Sequence, residues 1–421
     1  MPTAERSRRC RLYLVAWLWA LLLPLWLTGV AHAQVAHAQT AEATQAAPRI
    51  GVVTMLPGTI FWERFGHNAI VVDDPAFGQP VSYNFGFFDM AEPGFVRRFI
   101  RGEMQYQLVA LPFAQDLAYY RQMGRGASIQ WLNLPPDRAR VLAEALAVNA
   151  LPENARYSYD YFTDNCSTRV RDALDDALDG LLKTRLQSRS QGNSYRSEAV
   201  RLASPAGWMA WGFDLGLGPS ADRPLSRWED AFVPMQLASD LRGMALPDGT
   251  PLVASEHALL PHRLPPEPAG VPRPWWPWLM AGLAAAIALL AARRRWPRSS
   301  AAVGMLVWLI GGVLGTLMLS IWLFTDHTAG WANRNLWLLN PMLLLLLPGA
   351  WQLLRGRTPG RWFGWLLLLM LVSAIIAVLQ LWLASAMPQR NAHWIALLLP
   401  WHAGWAWAFW PWRSTHGPDK T

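Results

Sequence analysis

The chain has 421 residues, 52% of them hydrophobic, with 26 Trp and only 16% charged residues, a balance that excludes an ordinary soluble domain. The net charge of +8 is dominated by arginines, suits an anionic membrane surface and does not imply nucleic acid. There is no paired-cysteine zinc spacing, no HExxH and no phosphate loop, so neither a metal nor another cofactor is expected.

Arg6, Arg8, Arg9 and Arg11 precede an apolar run from Leu12 to Val30. The small-x-small pattern Ala31-His32-Ala33 follows, and Ala36-His37-Ala38 repeats it. This reads as a secretory signal peptide over residues 1–33, with cleavage after Ala33 or Ala38. The run is also long enough for an uncleaved anchor. Either way the rest of the chain is exported, and Cys10 leaves with a cleaved signal. Residues 34–48, rich in Ala, Gln and Thr, form a spacer.

Residues 49–262 have ordinary globular composition and enough length for one core. Strands are expected from Ile50 to about Leu56, over Ala69–Val72 and Val81–Phe88, and over Tyr106–Leu111 and Ala127–Leu134. A helix is expected over Asp137–Asn149. Strands first and helices after suggest an α+β domain. In the stretch YSYDYFTDNCSTRVRDALDDAL, Val170, Leu174 and Leu178 recur every four residues, so a helix follows Cys166. Thr163 or Asp164 would cap it, with Cys166 in the first turn. There the helix dipole and free N–H groups favour thiolate. Arg169 and Arg171 add positive charge. A lone cysteine is often a small buried hydrophobe. In an exported chain, however, an odd cysteine suggests a reactive thiol or an intermolecular bridge. His67, after Gly66 at the start of an apolar strand, is the natural base, since imidazole can take a thiol proton near neutral pH. A structural histidine is the alternative.

Pro57-Gly58, Phe65-Gly66-His67-Asn68-Ala69, Tyr83-Asn84-Phe85-Gly86, Tyr159-Asp160-Tyr161-Phe162 and Asp164-Asn165-Cys166-Ser167-Thr168-Arg169 resemble the periplasmic domain of the Lnb-type lipoprotein N-acyltransferases over about residues 50–260. That family is similar to circularly permuted papain-like thiol enzymes, in which the histidine strand precedes the cysteine helix. The resemblance implies Cys166 as nucleophile and His67 as base. A third polar residue would orient the imidazole: Asn84 is the candidate, with Glu63 and Asp160 competing. Asn165 and Arg169, beside the thiol, are candidate substrate contacts.

Further along, Gln187–Ser197 reads as a polar loop, and the Trp-rich stretch Ser204–Asp222 as either a membrane-facing lip or core. A proline-rich linker covers residues 263–274. Residues 275–412 hold five expected spans: Trp275–Ala292, Ala301–Phe324, Leu336–Leu354, Trp362–Ala384 and Trp394–Trp412. The arginine-rich loops after the first and third spans belong in the cytoplasm, as does the tail 413–421. The middle domain is then periplasmic, on the inner (cytoplasmic) membrane. The two sparse periplasmic loops carry Asp326, His327, Arg334, Asn335, Arg390 and Asn391. Such residues are often merely interfacial; the functional alternative is that they hold a lipid headgroup below Cys166, with Arg334 and Arg390 on a phosphate.

The reading that results is a membrane-bound thiol acyltransferase. It attacks a phospholipid acyl ester, and the resemblance implies a lipoprotein's N-terminal cysteine amine as acceptor. The alternatives are a periplasmic thiol hydrolase (lipase, amidase or peptidase) and an inactive envelope binding or assembly protein. The near absence of charge within the spans disfavours a channel or pump.

Overall fold

The computed structural model describes residues 47–270, 273–383 and 388–409. The expected signal peptide, nearly all of the spacer and the expected tail lie outside the described residues.

β-Branched and aromatic runs bounded by turn residues form the strands β1 (Arg49–Met55), β2 (His67–Asp73), β3 (Val81–Phe87), β4 (Gln105–Pro112), β5 (Ala127–Leu132), β6 (Arg156–Ser158) and β7 (Val253–Leu260). They pair antiparallel in one sheet ordered β6-β4-β3-β2-β1-β5-β7. β1 and β2 are buried on both faces, which is why they read as continuous apolar runs. β7, an exposed edge strand, and the three-residue β6 carry no such run and were not expected.

The helices of this α+β domain are α1 (Phe95–Arg101), α2 (Phe113–Gln122), α3 (Pro136–Asn149), α4 (Cys166–Ala177), α5 (Leu181–Leu186), α6 (Tyr195–Ala203), α7 (Gly207–Gly216), α8 (Arg227–Asp230) and α9 (Pro234–Arg242). One sheet face packs Ile50, Val52, Ile70 and Phe85 against Leu142 and Leu146 of α3 and Val170 and Leu174 of α4. The other packs Val53, Met55, Val71 and Ile129 against Tyr120 of α2. Val170 and Leu174 are fully buried. Each such side chain contributes roughly 1.5–3 kcal/mol, and this seats the cysteine helix on the histidine strand.

The membrane region comprises α10 (Trp276–Arg295), α11 (Pro297–Phe324), α12 (Leu347–Leu354), α13 (Arg361–Trp382) and α14 (Ala392–Phe409). Among the described residues α10, α11 and α13 are long and apolar enough to cross a membrane. The pair Thr328–Trp337 and Pro341–Leu354, bent by 42°, makes a fourth candidate. The continuous span expected over Leu336–Leu354 is corrected. Pro341 opens a 3-10 turn capped by Asn340, whose Oδ1 accepts from the Met342 N–H at 2.9 Å, and a helix running through Pro341 would lack its N–H. α14 contains Pro400, packs along α10 and α13, and reaches the edge of the described residues.

The two regions meet at the C-terminal end of α7, where backbone carbonyls lack helical donors. Buried Arg196 pairs with Asp222 at 2.9 Å and donates to the carbonyls of Leu217 at 2.8 Å and Gly218 at 3.1 Å. From the membrane side, Asn333 Nδ2 donates to the carbonyls of Leu215 at 2.7 Å and Gly216 at 3.0 Å, and Asn335 Nδ2 donates to that of Leu215 at 3.0 Å. Asp214 accepts from His393 at 2.7 Å and Trp394 Nε1 at 3.1 Å, and pairs with Arg273 at 3.0 Å. Burial alone would raise the Asp214 carboxyl, but His393 and the arginines hold it below the ordinary carboxylate range. On the same helix Trp208 and Trp211 are exposed, whereas Phe213 and Leu215 pack inward, so the Trp-rich stretch is core on one side and exposed on the other.

Candidate active site

Cys166 is the first residue of α4. The cap is Asn165, one residue later than expected. Its Oδ1 accepts from the N–H groups of Ser167 at 2.9 Å and Thr168 at 3.0 Å, and its own N–H donates to Thr168 Oγ1 at 2.7 Å. Asn165 Nδ2 donates to the carbonyls of Tyr161 at 2.9 Å and Phe232 at 3.0 Å. The whole side chain is spent on holding the turn, so Asn165 is placed as a cap and not as a substrate contact.

His67 begins β2 and donates from Nε2 to Asn84 Oδ1 at 3.0 Å. The ring also hydrogen-bonds Cys166, and Nδ1 is the nitrogen left for it. Asn84 Nδ2 donates to Asp116 Oδ2 at 3.0 Å and Ser82 Oγ at 3.2 Å, which fixes the amide with its oxygen toward the imidazole. The two competitors stand elsewhere. Glu63 pairs with Arg125 at 3.5 Å, and Asp160 accepts from the N–H groups of Phe162 and Thr163 in a turn. Asp116 of α2 was not singled out from sequence. In FAQDLAYY nothing distinguishes its carboxylate; only the fold buries it behind Asn84.

Burial works against charge on both members of the Cys–His pair, and each overcomes it for the other. The thiolate raises His67 above its ordinary 6.5, with Asn84 and Asp116 adding to the effect. The imidazolium lowers Cys166 below the ordinary thiol value, helped by the nearby backbone N–H groups of Asn68 and Ser167. Cys166 itself is only partly buried.

Gly86, at φ +95°, sits where the register between β3 and β4 slips, and the position its Cβ would take is 3.7 Å from Cys166 Cβ. That same position is 3.8 Å from the Tyr157 hydroxyl, which is buried without a hydrogen-bond partner among the described residues. An aromatic wall continues outward. Tyr159 stands 4.3 Å from Tyr106 and 5.8 Å from Tyr161 between ring centres, and Tyr161 stacks on His327 at 6.1 Å. Beside it run Phe88, 4.9 Å from Tyr106, and half-exposed Trp62, 5.8 Å from Phe88.

Of the other expected contacts, His327 alone joins this wall. Its Nε2 donates to the Phe99 carbonyl at 3.0 Å, and the Asp326 N–H donates to the Arg101 carbonyl at 2.7 Å. Gly102, at φ +79°, permits this close approach, since a Cβ there would lie 2.8 Å from the Asp326 carbonyl carbon. Arg169 lies next to the thiol, but its guanidinium is bidentate on Asp164 and 4.2 Å above the Tyr157 ring. Asn335 and Asn391 are buried and bonded to each other at 2.9 Å, inside the junction. The backbone N–H groups of Arg334 and Arg390 donate to Gln389 and Asp222, and the Arg390 side chain is exposed. The periplasmic-loop residues are therefore split. Asp326 and His327 meet α1 beside the aromatic wall, and the rest seat the two regions on each other. Among the described residues no cluster of three or more His, Cys, Asp or Glu could hold a metal ion.

Residues 37–202 match the family model for the Lnb N-terminal periplasmic domain, and residues 272–402 match the one for the Lnb transmembrane domain. No curated protein and no solved structure matches the chain. With both models matched in order, over the sheet domain that carries Cys166 and His67 and over the apolar helices that follow it, the chain belongs to the Lnb family of membrane proteins with a periplasmic domain.

Proposed function

We propose that this protein is an acyltransferase of the inner (cytoplasmic) membrane. It carries a phospholipid acyl chain on Cys166 and delivers it to an amine, the N-terminal cysteine of a lipoprotein. On this reading the periplasmic domain is a permuted papain-like thiol domain, and α14 is the last of about five spans. The observation that carries it is the Cys166–His67–Asn84–Asp116 alignment, opened by a helix N-terminus and walled by aromatic side chains down to the membrane loop at His327.

The chemistry follows from the pairing. Cys166 thiolate attacks the ester carbonyl carbon. The C–O bond breaks, and His67 imidazolium gives its proton to the departing alkoxide, leaving a lysophospholipid and a thioester. The amine then attacks the thioester, His67 takes the amine proton, and the tetrahedral adduct expels thiolate to leave an amide. Negative charge on the carbonyl oxygen needs donors. The side chain of Asn165 takes the N–H groups of Ser167 and Thr168, and its carbonyl takes that of Arg169, so the Cys166 N–H is the first-turn donor left. The unpartnered Tyr157 hydroxyl is the natural second. The aromatic wall excludes water and offers an apolar path for an acyl chain.

The test is turnover by the full chain in phospholipid nanodiscs with a peptide whose N-terminal cysteine bears a diacylglyceryl group. The predicted result is one added acyl group on the peptide amine, lost in Cys166→Ala. Release of free fatty acid with no acylated amine would instead establish a hydrolase. Unchanged cellular function in Cys166→Ala would leave a binding role.

A further inference from the structure

Helix α1, FVRRFIR, repeats three kinds of side chain at four-residue spacing, so each kind takes its own side of the helix. Phe95 and Phe99 turn inward. Phe95 stacks on Phe88 at 5.7 Å between ring centres, and Phe99 lies 6.5 Å from His327. Arg97 and Arg101 make a second, exposed side. Val96 and Ile100 make the third, and they are left bare at 64% and 61% exposed. The loop leading into α1 adds exposed Phe87 and Met90. Apolar surface of this kind is unfavourable in water.

The end of α11 fixes the height of α1. No charged residue stands between Arg298 and Asp326. α11 stays apolar through its last turn, where Leu323 and Phe324 are exposed, so the hydrocarbon boundary lies at that turn. Just beyond it the Asp326 N–H donates to the Arg101 carbonyl at 2.7 Å, and His327 Nε2 donates to the Phe99 carbonyl at 3.0 Å. These bonds pin α1 beside the end of a membrane span, with its bare apolar side at the level where headgroups give way to acyl chains.

Charge and position together name the occupant. Lipid tails match Val96 and Ile100, and phosphates match the two arginines, whose long stems let the guanidinium stay among the headgroups. We infer that α1 is an interfacial helix of the periplasmic leaflet, with Val96 and Ile100 among the acyl chains and Arg97 and Arg101 on phospholipid phosphates. The neighbouring side of the same helix, Phe95 and Phe99, runs into the aromatic wall that leads to Cys166. A phospholipid held at α1 therefore has its glycerol esters at the foot of that wall; its use as acyl donor there rests on the acyl-transfer reading.

The experiment uses the full chain with Cys10→Ala and Cys166→Ala in phospholipid nanodiscs. Val96→Cys, Ile100→Cys or Phe77→Cys is added singly and labelled with bimane. Phe77 is the control: it is 73% exposed and lies in the turn after β2, at the end of that strand away from His67. Nitroxide-bearing acyl chains are expected to quench positions 96 and 100 and not 77. Arg97→Gln with Arg101→Gln should weaken the quenching at position 100. With Cys166 restored, Val96→Glu with Ile100→Glu should cut acyl transfer from bilayer phospholipid about tenfold, while iodoacetamide still alkylates Cys166 at the wild-type rate. Quenching at 96 and 100 no greater than at 77 would overturn the inference, because that side of α1 would then face water or another protein. Unchanged quenching in the arginine variant would overturn the phosphate contacts. A wild type that transfers no acyl group, with the quenching intact, would sink the acyl-transfer reading alone and leave α1 in the leaflet.

Discussion

Two buried polar networks in this molecule are built on asparagines, and they differ in what they leave unspent. At the junction, Asn333, Asn335, Gln389 and Asn391 bond to one another and to the carbonyls at the end of α7, and none of their fully buried side-chain polar atoms is without a partner. At the site, Asn84 and Asn165 are equally well bonded, but the groups they hold are not consumed. A partly buried cysteine, an imidazole and the Tyr157 hydroxyl remain for something else to meet. The same residue type orders the candidate site in one place and seats the two regions in the other, and only the leftover capacity separates the two.

Substitutions sharpen that contrast. Cys166→Ala should remove all acyl adduct while leaving the melting temperature near wild type. His67→Ala should slow alkylation of Cys166 at neutral pH by ~10²–10⁴-fold, read with iodoacetamide and intact mass. The pH profile carries a sign. Thiolate forms as pH rises, and His67 places that rise below the ordinary thiol value, so His67→Ala should move it upward. Transfer should fall again once pH passes the raised His67 value, above 6.5, because the leaving alkoxide loses its proton donor. Asn84→Ala lets the imidazole turn, and a misplacement of this kind costs ~10²-fold in kcat. Asp116→Leu acts one bond further out and should cost about tenfold, with KM unchanged.

At the junction the effects move to stability. Asn335→Leu leaves the Leu215 carbonyl and the Asn391 amide short of partners, at about 1–3 kcal/mol. A thermal scan should show the loss, while alkylation of Cys166 in the folded fraction stays at the wild-type rate. A slowed alkylation would join the two networks and break the comparison. The smallest change is Arg169→Met. Its pair with Asp164 is about one-third exposed, and such pairs are worth ~0.2–1 kcal/mol, so acyl transfer should persist.

What was legible in the sequence follows the same physics. β1 and β2 showed because central strands must be apolar on both faces, and α4 showed because Val170 and Leu174 repeat at helical spacing. β7 stayed hidden because an edge strand can alternate with polar residues. The break at Asn340-Pro341 was present as a turn signal but was overridden by the leucines that follow it. Cys166, His67 and Asn84 could be picked out by residue type and motif. Asp116 could not, since its role depends on α2 folding back onto β3. Asn335 and Asn391 looked like headgroup ligands because exposure cannot be read from a loop sequence. Tertiary packing buries them against α7.

The most direct test of the central claim is the intact mass of the full chain after mixing with phospholipid and no acceptor. A hydroxylamine-labile acyl adduct on wild type, absent from Cys166→Ala and slow to form on His67→Ala, is the predicted result. A thiol that resists alkylation and never gains acyl mass would contradict it.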